Sequence, residues 1–166
     1  MMQHNTTLQK LYLSFNHIGA AGAAAIARAL ETNTALTTLD VGNNSIQSDG
    51  LVALSHALET NTTLGRIYLL QNKVSERGMK TLIRSMEYNS TVVMLSLQGN
   101  GLDKEQINEL NQILAENKAG NRKQHVLQQK RNKEEYGIEG GLAAADLSIT
   151  SGGATTSWQS SGEGVA

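Results

Sequence analysis

Four histidines, His4, His17, His56 and His125, are the side chains of this 166-residue chain best suited by type to bind a metal or move a proton near neutral pH. No two are spaced as H-x-x-x-H, and the chain has no cysteine to complete a thiolate site. Asp40-Val41-Gly42-Asn43-Asn44-Ser45 starts like a calcium loop. Ser45 stands where that loop needs glycine and Leu51 where it ends in glutamate, so calcium binding is rejected. Neither a phosphate-binding G-x-x-x-x-G-K-[ST] nor a nucleophile elbow G-x-S-x-G occurs. Asn5, Asn43, Asn61 and Asn89 each open an N-x-[ST] sequon, expected to be unmodified because no secretory signal precedes them. No acid, base, nucleophile or metal set emerges, so neither a cofactor nor an enzymatic activity is expected.

The residues that do recur point to binding instead. Asn5, Asn33, Asn61 and Asn89 follow one another at intervals of 28. Every apolar position between them falls into a column: Leu8, Leu36, Leu64 and Val92; then Leu11, Leu39, Ile67 and Leu95; then Leu13, Val41, Leu69 and Leu97. Asn16, Asn44, Asn72 and Asn100 come next, followed by Ile18, Ile46, Val74 and Leu102. Leu11 and Leu13, two apart, share one face of a short strand while Tyr12 points to the other. Where the chain turns away after the strand, backbone groups are left inside the stack. The amides of Asn16, Asn44, Asn72 and Asn100 can satisfy them as a ladder, each buried partner worth about 1–3 kcal/mol.

The second half of each unit has helical spacing: Leu51, Leu54 and Leu58; Met79, Leu82 and Met86; Ile107, Leu110 and Leu114. Ser75 and Asp103 stand at N-cap positions, Asp103 with Gln106 as a capping box. Gly22, Gly50 and Gly78 share a column early in each helix, where a missing side chain lets neighbouring helices lie close.

The columns spell L-x-x-L-x-L-x-x-N-x-L, the leucine-rich-repeat pattern. Together with the 28-residue period and the phrase Gly19-Ala20-Ala21-Gly22-Ala23-Ala24-Ala25-Ile26-Ala27-Arg28-Ala29-Leu30, it resembles the ribonuclease-inhibitor-like subclass. That subclass includes the Ran GTPase-activating protein and the repeats of NOD-like receptors. The resemblance spans residues 5–118 as four units, 5–32, 33–60, 61–88 and 89–118. It implies an α/β solenoid, with a parallel sheet on the concave side of a short arc and helices on the convex side.

In that architecture the side chains open to a partner are the strand residues that do not feed the core. They are Lys10, Tyr12 and Ser14; Thr38, Asp40 and Gly42; Arg66, Tyr68 and Leu70; Met94, Ser96 and Gln98. Tyr12 and Tyr68 flank Asp40, with Lys10 and Arg66 as a basic row beside them. Tyrosine and arginine are the types most enriched at binding hot spots. The expected function is a non-enzymatic module binding another protein on this face. The resemblance offers two alternatives: a GTPase-activating regulator of the Ran activator type, or the sensor repeats of a NOD-like receptor. The Ran activators have a longer array followed by an acidic block, and the receptors add a nucleotide-binding domain.

Net charge is −1, which argues against nucleic acid as partner and gives no support to binding at a membrane surface. A cytoplasmic or nuclear location is expected. Only four residues precede the first unit, so Leu8, Leu11, Leu13, Ile26 and Leu30 lack an upstream neighbour. The chain therefore reads as a fragment of a longer array, with self-association through the N-terminal edge strand as the alternative. From Ala119 the period stops. Residues 119–166 are poor in branched aliphatics and hold half of the glycines, so this tail, basic and then acidic, is expected to be disordered and its basic part a solvated linker. The basic part (Arg122, Lys123, Lys130, Arg131 and Lys133) could also continue as a helix, or form a weak localisation or nucleic-acid patch. Trp158 reads as a short-motif anchor or an incidental residue rather than core.

Overall fold

The computed structural model describes residues 2–136, and the expectations for Trp158 and the Ser- and Gly-rich end of the chain lie outside them. Four strand–helix pairs follow one another: β1 (Lys10–Tyr12) and α1 (Gly19–Leu30), β2 (Thr38–Asp40) and α2 (Gln47–Thr60), β3 (Arg66–Tyr68) and α3 (Glu76–Met86), β4 (Met94–Ser96) and α4 (Lys104–Lys118). The strands form one parallel sheet in the order β1-β2-β3-β4, paired at offsets of 28, for example Leu11 with Leu39 and Leu39 with Ile67. Helices form the second layer, because each strand must cross back to begin its parallel neighbour.

Leucine columns fill the space between the layers. Leu36, Leu39, Val41, Ile46, Leu51, Leu64, Met79, Leu82 and Met86 are wholly buried. Leu11, Leu13 and Ile26 of the first unit are only partly so, since among the described residues no strand–helix pair stacks before β1 and α1. Leu30 of the same column set is nonetheless buried, because Met2, 28 residues earlier, packs against the core from a 3₁₀ turn (Met2–His4).

Two asparagine ladders, not one, hold the units in register. In the first, Asn44 Oδ1 accepts from the backbone N–H of Asn16 and Ile18, Asn72 Oδ1 from Asn44 and Ile46, and Asn100 Oδ1 from Asn72 and Val74. The second uses the unit-opening column. Asn61 Nδ2 donates back to the Leu30 and Asn33 carbonyls, and its Oδ1 accepts from Thr63 and Leu64. Asn117, 28 residues after Asn89, closes this ladder with donations to the Asn89 and Val92 carbonyls. The spacing was there to be read, but the unit around Asn117 carries no leucine columns to announce it.

The turn after each strand is left-handed at recurring positions: Phe15, Asn43, Gln71 and Gly99, then His17, Ser45, Lys73 and Gly101. Only the fourth unit uses glycine at both. Lys73, exposed at φ 58°, carries the steric cost of a Cβ in that region, so Lys73→Gly is expected to raise stability by about 0.5 kcal/mol in a thermal melt.

The caps divide as their neighbours dictate. Asp103 accepts from Gln106 N at 2.8 Å, as a capping residue should. Ser75 makes no cap bond to its own helix. Its hydroxyl instead meets Ser48 Oγ at 2.6 Å, which ties the starts of α3 and α2 together.

The basic segment is not a solvated linker. Residues Arg122–Tyr136 form α5. Arg122 anchors it, donating to Glu116 Oε2 at 3.0 Å and to the Glu87 carbonyl at 3.1 Å, and Val126 is buried. Farther along, Lys133 pairs with Glu59 at 3.6 Å and lies over the Tyr88 ring, so α5 runs back across the ends of α2 and α3. This is the helical alternative for the basic part, and composition does not single it out because Arg122, Val126 and Lys133 dock it without an apolar stripe. Arg122 beside Glu116 holds that carboxyl below its ordinary range, and burial lowers the Lys130 ammonium.

Candidate functional site

Register fixes the sheet face as rows running across the strands. The first row is Lys10, Thr38, Arg66 and Met94; the second is Tyr12, Asp40, Tyr68 and Ser96. Neighbouring strands lie about 4.8 Å apart, which puts Tyr12 and Tyr68 about 10 Å from each other on either side of Asp40. A third tier continues through Ser14, Gly42, Leu70 and Gln98, where backbone bonds such as Phe15 N to Gly42 O and Gln71 N to Gln98 O extend the pairing.

These positions are unequal in what they offer. Lys10 and Arg66 are exposed, Tyr12 is 63% exposed and Met94 44%. Tyr68 is half-buried and donates its hydroxyl to Met94 Sδ at 3.5 Å. Asp40 is half-buried too, and its carboxylate accepts from Gly42 N at 3.0 Å, which orients it within its own turn. Ser96 donates to Gln98 Oε1 at 2.5 Å, while Ser14 and Leu70 are half-buried. Gly42 is buried.

Thr38 departs from the alternation rule. It points to the sheet face yet is only 3% exposed, and its hydroxyl has no hydrogen-bond partner among the described residues. The register explains the burial: the long side chains of Lys10 and Arg66 stand on either side of a short one.

A strand-turn-helix unit repeated four times at 28 residues, one parallel sheet and an asparagine ladder under each turn together decide the architecture. The fold is a leucine-rich-repeat array. The sequence model of the Leucine Rich repeat family matches residues 4–27 and 32–55, covering most of the first two units. No curated protein matches the chain in sequence. Among solved structures, one titled Leiomodin-1 Actin-Binding Site 2 is similar with a TM-score of 0.66 at 20% identity, covering 78% of this chain and 75% of that one. A tropomodulin C-terminal domain of Caenorhabditis elegans aligns with a TM-score of 0.54 at 12% identity, covering 75% and 93%. At these identities the likeness is one of fold.

Elsewhere on the array, an open groove of about 370 Å³ borders the free edge of β4, lined by Leu95, Leu97, Leu102 and Ile107 among others. Ile107 belongs to the column of Ala23, Leu51 and Met79 and is 40% exposed, since no fifth strand-helix pair follows within the described residues. Among the described residues no three His, Asp or Glu side chains come together as metal ligands, and no helix is long and apolar enough to cross a membrane.

Proposed function

We propose that this leucine-rich-repeat array is a non-enzymatic protein-interaction module whose partner docks on the sheet face. The observation that carries the reading is the pair of rows bearing Lys10, Tyr12, Arg66, Tyr68 and Met94 on a sheet held rigid by two ladders of buried side-chain bonds. Tyrosine gains a large contact area on binding at small entropic cost, and arginine adds charge-assisted bonds. The 28-residue strand–helix unit supports the ribonuclease-inhibitor-like subclass for these repeats.

Actin is the first partner to test, because a similar fold is titled as an actin-binding site. Co-sedimentation with filaments and fluorescence titration of monomeric actin are the measurements. Saturable binding by the 166-residue chain is expected, lost at least tenfold in the triple variant Tyr12→Ala, Asp40→Ala, Tyr68→Ala. Tyr12 and Tyr68 are outside the core, so the variant should melt within a few degrees of the parent. Undiminished binding by the triple variant would move the site off the sheet face. No binding by the parent chain would remove actin.

A further inference from the structure

The first row of the sheet face combines three features that point to one kind of ligand. Lys10 and Arg66 are exposed, and among the described residues neither has a carboxylate within salt-bridge distance. The register sets them on either side of Thr38, about 10 Å apart at the backbone, close enough for two long side chains to converge on one group. Between them lies the enclosed Thr38 hydroxyl with neither donor nor acceptor partner. An unpartnered buried hydroxyl costs stability, and an incoming ligand atom could supply the missing partner.

We infer that Lys10, Thr38 and Arg66 form an anion subsite that receives an aspartate or glutamate side chain from an acidic segment of the partner. The two cations give charge-assisted bonds, Arg66 as a fork onto both carboxylate oxygens. As the stems of Lys10 and Arg66 part around the incoming group, the Thr38 O–H donates to it. Asp40, diagonal to both cations in the next row, sets the charge the subsite takes. Two cations against one carboxylate leave a single positive charge, which one further carboxylate balances and a phosphate dianion would exceed. Tyr12, Tyr68 and Met94 beside it supply contact for an apolar residue flanking the acid.

This subsite rests on the sheet-face reading, and its test separates the two. The ¹⁵N-labelled 166-residue chain is titrated with penta-glutamate and with penta-glutamine, each acetylated and amidated, at low salt. Penta-glutamate is expected to give saturable shifts at residues 10, 38 and 66 and at the Arg66 side chain, weakened by added salt, while penta-glutamine gives none. Lys10→Gln with Arg66→Gln should abolish those shifts. Thr38→Val should weaken penta-glutamate binding at least threefold and yet raise the melting temperature, a combination that a purely structural threonine would not give. Equal shifts from both peptides, or penta-glutamate shifts that survive the double variant, would overturn the subsite. Actin binding lost in the tyrosine triple variant but untouched by Lys10→Gln with Arg66→Gln would also overturn it, leaving the sheet face as the docking surface.

Discussion

Asn72→Ala is expected to cost about 3–5 kcal/mol of unfolding free energy, read by urea denaturation, against less than about 1 kcal/mol for Asn16→Ala. The difference follows from counting what each amide leaves behind. Asn72 is wholly buried, with Nδ2 donating to the carbonyls of Val41, Leu69 and Leu70 and Oδ1 accepting from the N–H groups of Asn44 and Ile46. Leu69 O keeps Asn100 Nδ2 and Leu70 O keeps Asn43 N, but Val41 O, Asn44 N and Ile46 N lose their partner. Three buried orphans at about 1–3 kcal/mol each set the estimate, reduced for whatever water or backbone relaxation recovers. Asn16 is exposed, and one of its two acceptors, Leu13 O, also receives Asn44 Nδ2. The loss is large against the roughly 5–15 kcal/mol that hold a domain together. In a stacked array it also falls on the contact between the second and third units, splitting the chain into halves with little core each. Equal losses at Asn72 and Asn16 would mean that the ladder contributes nothing beyond local turn bonding.

Period and column were legible because each unit buries the same face in the same way. Strand register, helix placement and the Asn16, Asn44, Asn72 and Asn100 ladder all follow from one repeat length. What escaped the sequence depended on neighbours rather than on type. Alternation puts Thr38 outward, but its burial comes from the length of Lys10 and Arg66, which only the register reveals. Ser75 has the type and position of an N-cap and spends its hydroxyl on Ser48 of the previous unit. The opening asparagines Asn33, Asn61 and Asn89 mark the period, while their reach to carbonyls 28 and 31 residues earlier needs the stacked backbone to be seen. For α5, a helix docked by Arg122, Val126 and Lys133 has too few apolar positions for any periodicity to show. Strand alternation assigns residues to the sheet face, while their pairing into rows comes only from the strand register.

Gly50→Gln is expected to destabilise the chain by about 3 kcal/mol, at the upper end of the usual cost of overpacking, even though Gln is the better helix former by several tenths of a kcal/mol. A Cβ on Gly50 would overlap Ile46 Cγ2 and lie 2.9 Å from Ala23 Cβ and 3.1 Å from Ala20 Cα. The last is backbone of α1, so rotamer changes cannot clear it and the two helices must part. Gly22 supplies the control: a Cβ there overlaps Ile18 Cγ2, as one at Gly50 overlaps Ile46, but meets no neighbouring helix, so Gly22→Gln should cost about 1–2 kcal/mol less than Gly50→Gln. The fourth unit already carries this replacement, since Gln106 occupies the column of Gly50 and Gly78. There α4 packs far less closely on α3 than α2 does on α1, and a polar groove lined by Glu76, Lys80, Gln106 and Glu109 opens between them. A helix pair separated in this way by Gly50→Gln would expose Ala23 and Ala27 to water in the middle of the array, whereas at Gln106 the separation falls on charged side chains that tolerate it. Hydrogen exchange localises the effect: faster exchange across α1 and α2 with α3 protected is the expected pattern. Loss confined to the residues around Gly50, with α1 protection intact, would show that the glycine column answers to its own helix and not to the neighbour it faces.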